Sequence, residues 1–121
     1  MAGMEMKSFD APDDRRPFVD KGAADVVSVA GVSVMKARYE PGWRWSEHIR
    51  PIVGTDSCQS THFGYVISGR MQVVMDDGDK GEFGPNDVVR IEPGHDAWVV
   101  GDEPCVLVDF AVSPNFAKAN E

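Results

Sequence analysis

Three histidines are the side chains of this 121-residue chain best suited to chemistry. His48, His62 and His95 each lie at or beside a segment that reads as a strand abutting a turn. Imidazole is the commonest ligand for divalent transition metals, and three of them can hold an ion with coordination positions left open. His48, His62 and His95 are therefore either a metal site, with Cys58 in the loop after Asp56 available as a fourth ligand, or separate hydrogen-bonded histidines. Three neutral imidazoles leave about +2 on the ion, a strong Lewis acid for polarising water or an anionic substrate. Zinc, iron, manganese, nickel and copper all suit such donors.

Arg50 is the next candidate. Read as a strand, Trp43–Ile49 alternates faces, so Arg44, Ser46 and Arg50 share the face of His48. A guanidinium stays protonated and is a poor metal ligand, but it anchors a carboxylate or phosphate well. Arg50 is therefore expected to bind a small anionic molecule, or else to form an ion pair with Asp56 or Glu92. Cys105 opens the last strand and reads as core, and Trp98 and Tyr65 fall on faces opposite His95 and His62. The acidic run Asp76, Asp77, Asp79 lacks the spaced ligands and closing glutamate of a calcium loop and reads as a hairpin tip.

Positioning these groups falls to β-structure nearly throughout. Residues 1–24 are rich in turn-formers and read as an extended arm, with Phe9 and Phe18 available to pin it to the body or to a second subunit. From Asp25 onward, β-branched runs are punctuated by Gly31, Pro41-Gly42, Gly69, Asp76–Asp79, Gly84–Asp87, Pro93-Gly94 and Gly101–Pro104. Strands fall at 62–68, 71–75, 88–91, 95–100 and 105–112, and no helix-period run is long enough to build a layer. Strands spaced in this way argue a sandwich or barrel. The division expected is an arm (1–24), a β-barrel (25–112) and a tail (113–121).

Charge and cysteine content narrow the function. With 20 acidic against 12 basic residues, the formal charge of −8 repels nucleic acid and anionic lipid. Two cysteines do not make a secreted disulfide scaffold, no apolar run approaches bilayer length, and Met1–Arg16 lacks a signal-peptide pattern. The expected location is the cytoplasm.

The motif order resembles that of the cupins. Pro41-Gly42 followed by five residues reaches His48, the place of the family's first histidine. His62, seven positions before Gly69, takes the place of its glutamate. Gly84–Gly94 resembles the second motif, with Asn86 where glycine is usual. Counting forward from Gly94 puts the family's last histidine at Ala97, and counting back from Gly101–Pro104 puts it at His95. The two positions share a strand face, so a two-residue deletion reconciles them. The second histidine of the family's first motif is Arg50 here, and the linker to His62 is longer. The resemblance implies a double-sheet jelly-roll β-barrel, a divalent metal and pairing into a homodimer through an exchanged amino-terminal strand. It leaves open an enzyme acting on a small molecule, a ligand- or metal-sensing module, and a metal-free degenerate cupin.

Overall fold

The computed structural model describes residues 3–119. The first two residues of the expected arm and the last two of the expected tail lie outside that range. The chain is built from β1 (Asp14–Pro17), β2 (Gly22–Val29), β3 (Val32–Tyr39), two single helical turns, α1 (Trp45–His48) and α2 (Arg50–Val53), and then β4 (His62–Ser68), β5 (Arg70–Met75), β6 (Lys80–Phe83), β7 (Val88–Ile91), β8 (His95–Val100) and β9 (Cys105–Asp109). All pairings are antiparallel. A six-stranded sheet runs β1-β2-β3-β9-β4-β7 and faces a three-stranded sheet, β6-β5-β8.

Alternation explains which side chains meet between the sheets. Met35, Ala37 and Tyr39 on β3, His62 and Val66 on β4, and Cys105, Leu107 and Asp109 on β9 point inward. Met71 and Val73 on β5 and His95, Ala97 and Val99 on β8 face them from the smaller sheet. Two-residue periodicity thus carries both histidines and one carboxylate into an otherwise apolar interior. The β2–β3 hairpin turns through Ala30 (φ 50°) and Gly31 (φ 81°), the left-handed pair that matches strand twist. Gly64 is required by close approach, because a Cβ there would come within 2.5 Å of the Val108 carbonyl oxygen on the neighbouring strand.

The segment expected to be a strand at Trp43–Ile49 is not one. Arg44 makes an isolated bridge to Trp98 on β8, and the chain then enters α1 and α2. The physical reason lies in the spacing. Trp45 and Ile49 are four apart and both buried, the periodicity of a helix face. Pro51 sits in the first turn of α2, where its missing N–H costs nothing, and Gly54 closes that turn in the left-handed conformation (φ 77°).

Segments of both the expected arm and the expected tail join the barrel. Residues 14–17, expected in the arm, form an edge strand on β2, and Phe18 is buried against Tyr39 with ring centroids 5.4 Å apart. Phe116 and Ala117, expected in the tail, are buried in the core cluster.

Candidate metal centre

Cys58, His62 and His95 converge at one end of the barrel. Their donor atoms all lie within 4.8 Å of one another, and all three residues are buried. Each arrives from a different piece of chain. His62 is the first residue of β4 and His95 the first of β8. Cys58 comes from the loop after α2, which lies along the start of β8: Cys58 N donates to the His95 carbonyl (2.7 Å), and Gly94 N donates to the Cys58 carbonyl (2.7 Å). Ser57 Oγ ties the same loop to Asp76 (2.8 Å). The backbone, not a mobile loop, therefore fixes the thiol.

The hydrogen bonds fix the imidazoles as well. His95 Nδ1 lies 2.7 Å from the Glu92 carbonyl oxygen. A carbonyl only accepts, so Nδ1 carries the proton and Nε2 presents its lone pair. His62 Nδ1 donates to Asp109 Oδ2 at 2.6 Å, which turns its Nε2 toward Cys58 Sγ, 3.6 Å away. An acceptor behind each ring nitrogen is the arrangement that orients histidine ligands on metals. Distances agree: a tetrahedral ion with Zn–S of about 2.3 Å and Zn–N of about 2.05 Å separates sulfur from nitrogen by about 3.5 Å. The His62–Cys58 edge already has that length, and the other two edges are no longer than 4.8 Å.

Charge in the cluster is set by mutual support. Burial alone would depress His62, but the hydrogen bonds and charges of Asp109 and Cys58 outweigh it and push its pKa up to about 9. Burial would likewise raise Cys58, but the imidazoles of His62 and His95 beside it, His62 foremost, bring it down to about 6. Each thus favours the charged form of the other. Cys105 has no such support, and burial pushes it up to about 11, so it is an inert core thiol.

His48 stands apart from this cluster. It closes α1, and its Nδ1 lies 3.0 Å from Arg44 N and 3.1 Å from Arg44 O, a contact local to its own turn. The expectation of His48 as a ligand rested on its spacing from Pro41-Gly42 and on strand parity, and the helical turn removes that parity. Cys58, foreseen as an added fourth donor, is instead one of the three residues that meet. Arg50 is also outside the barrel. Its side chain is 49% exposed and lies 3.5 Å from Asp56, the ion pair weighed as the alternative to an anion anchor. Arg44, on the same expected face, stacks over Trp98 with Cζ 4.4 Å from the ring centroid and pairs with Asp96.

Sequence reasoning missed Asp109. The signal was present, because Cys105, Leu107 and Asp109 alternate on one strand face and an acid on an apolar face needs a partner. It also missed Phe116, whose ring stands edge-on to His62 at 5.1 Å. Two cavities adjoin the cluster. An interior one of about 30 Å³ is bordered by His62, His95, Tyr39, Trp43 and Phe116. An outer one of about 140 Å³ touches Cys58, Thr55, Gln59, Asn115 and Lys118.

No family model matches the sequence, and no curated protein does. Solved structures do match the fold. The KdgF structure from Halomonas sp. superposes with a TM-score of 0.60 at 15% identity, covering 94% of this chain and 98% of that one. A protein of unknown function (DUF1255) from Acidithiobacillus ferrooxidans gives 0.57 at 18%, covering 86% and 98%. The oxalate decarboxylase of Lactobacillus farciminis gives 0.57 at 18%, covering 85% of this chain. This chain spans about a third (32%) of the oxalate decarboxylase. The fold is thus an all-β, double-sheet jelly-roll barrel of the cupin type.

Proposed function

We propose that this small cupin binds one divalent metal ion through Cys58 Sγ, His62 Nε2 and His95 Nε2, and that the ion presents an open position to a small ligand. The observation that carries this reading is the pair of buried histidines whose Nδ1 protons are committed to Asp109 and to the Glu92 carbonyl. His95 Nε2 is thereby released, and His62 Nε2 joins it on losing its proton, both beside a thiol whose pKa is lowered to about 6. A bound ion would supply Lewis acidity and a coordination position. The chain itself orients the imidazoles and excludes bulk water with Phe116.

Thiolate and imidazole together favour zinc, iron or copper over manganese. One thiolate and two neutral imidazoles leave about +1 on the site, less than three histidines would leave. That residual charge favours a small anionic ligand without help from Arg50. The oxalate decarboxylase among the structural neighbours carries in its name a reaction on a small dicarboxylate. This is compatible with an enzyme acting on a small acid and equally with a module that senses one.

A second reading is metal-free. Asp109, His62 and Cys58 form a hydrogen-bonded chain of acid, imidazole and thiol, the arrangement that activates a cysteine nucleophile. Elemental analysis of the untagged protein separates the two. The metal reading expects one equivalent per chain, lost in Cys58→Ser, His62→Ala and His95→Ala and kept in His48→Ala and Arg50→Gln. Metal retained in all three cluster variants would remove the ligand assignment. A metal-free protein, with Cys58 alkylated faster than Cys105, would favour the nucleophile.

A further inference from the structure

Trp43 lies 3% exposed in the core, and its indole Nε1–H has no hydrogen-bond partner. It is the one buried side-chain polar atom without a partner among the described residues. Leaving such a donor unmatched costs the fold its hydration with nothing in return, so each instance asks for an explanation. Trp43 has little freedom to relieve it by moving. Its backbone N–H donates to the Glu40 carbonyl (3.0 Å), and its carbonyl accepts from Val99 N (3.0 Å), which locks the residue between a turn and β8. The ring is wedged between Tyr39, with centroids 4.4 Å apart, and Phe18, at 5.9 Å.

The same indole borders the interior cavity that His62 and His95 border. That cavity measures about 30 Å³, and a single water occupies about 10–15 Å³ on this measure. It therefore has room for a ligand of two or three atoms. Apart from the two imidazoles, Tyr39 and the indole, its wall is apolar: Met71, Phe83, Ile91, Ala97 and Leu107 are among its lining. A small cavity walled by apolar side chains, two imidazoles and an indole with an unanswered N–H is shaped for a compact hydrogen-bond acceptor.

We propose that this cavity is the ligand pocket of the metal centre, and that a hydroxide or an anion of two or three atoms fills it and accepts the Trp43 Nε1–H. The inference rests on the metal reading and adds to it the class of ligand and the residue that selects it. Trp43 is a binding residue for that ligand and not a ligand of the ion, so its removal leaves metal content untouched.

Azide is the probe. In the zinc-loaded wild type, a ¹H–¹⁵N spectrum resolves the indole signals of the three tryptophans. Azide is expected to shift that of Trp43, assigned through its own backbone, well beyond those of Trp45 and Trp98. In cobalt-loaded protein, the visible bands report azide affinity directly. Trp43→Phe is expected to bind the same equivalent of metal and to bind azide at least about tenfold more weakly, the worth of one hydrogen bond to a charged group. Equal azide affinity in a metal-loaded Trp43→Phe, or no shift of the Trp43 signal on saturation, overturns the pocket and leaves the metal site standing. A wild type that takes up no metal overturns both. Should Trp43→Phe fail to fold, the wild-type spectrum decides alone.

Discussion

Asp109 spends nearly all its hydrogen-bonding capacity on the site. One oxygen takes the His62 Nδ1 proton, and the other accepts from Phe63 N (3.2 Å) and Ala111 N (2.9 Å). The side chain is rigid, buried and aimed, which makes it a positioning residue. Asp109→Asn keeps a carbonyl oxygen for the imidazole but removes the charge. It is expected to weaken metal binding by about 10- to 100-fold, as loss of the group behind a histidine ligand does. The pH profile gives a readout that a merely structural role would not move. His62 must lose a proton to bind metal, and its pKa is raised to about 9, so wild-type affinity rises with pH until about 9. Without the carboxylate that pKa falls, and in Asp109→Asn the rise ends at lower pH. Competition titrations across this range check both expectations. A profile unchanged in Asp109→Asn removes the role.

At the scale of elements, the segment after β9 forms a wall of the site. Arg16, almost wholly buried, donates from Nη1 to the carbonyls of Ser113 (2.7 Å) and Phe116 (3.2 Å) and from Nε to Asp14 (3.0 Å). Lys118 Nζ reaches the same Asp14 at 2.8 Å. The edge strand β1 thus clasps the end of the chain and holds Phe116 over His62. Surface ion pairs are weak, so the buried ring and the buried guanidinium carry most of this closure. Phe116→Ala is expected to cost about 3 kcal/mol of stability, as large-to-small core changes do. It also opens the site, so alkylation of Cys58 in folded, metal-free protein is expected to quicken. Denaturant titration and the rate of thiol modification measure the two effects. A rate equal to the wild-type rate would mean that Phe116 does not guard the cluster.

Across the whole molecule, the outer face of the larger sheet stands out. Phe63, Tyr65 and Ile67 alternate on β4 and are exposed, and Val88, opposite Tyr65 on β7, is 65% exposed. Single exposed apolar residues are ordinary, but neighbours on adjacent strands make a patch. The homodimer expected from sequence was to form through an exchanged amino-terminal strand. With β1 paired on β2 of the same chain, we propose this face as a dimer surface that needs no exchange. Ile67→Glu should then shift sedimentation from dimer to monomer without loss of fold, whereas removal of residues before Asp14 should leave the dimer intact. A monomeric wild type at micromolar concentration would end that expectation. Among the described residues no helix is long and apolar enough to cross a membrane.

What the sequence determined by itself was local or periodic. Alternating runs and Gly/Pro/Asp turns set the strands at 62–68, 88–91 and 95–100, each within a residue of those observed. Parity sent His62 and His95 inward because a strand has only two faces. Where periodicity was mixed, it misled: Trp43 and Trp45 alternate as in a strand, Trp45 and Ile49 repeat as in a helix, and the helix won. The two helical turns took His48 and Arg50 out of the barrel. Only the tertiary structure decided which donors meet. Cys58 reaches the histidines through a backbone bridge to His95, and Asp109 reaches His62 from 47 residues away across paired strands. Neither contact leaves a spacing to be read along the chain, because antiparallel pairing makes neighbours of residues whose separation depends on the loops between them.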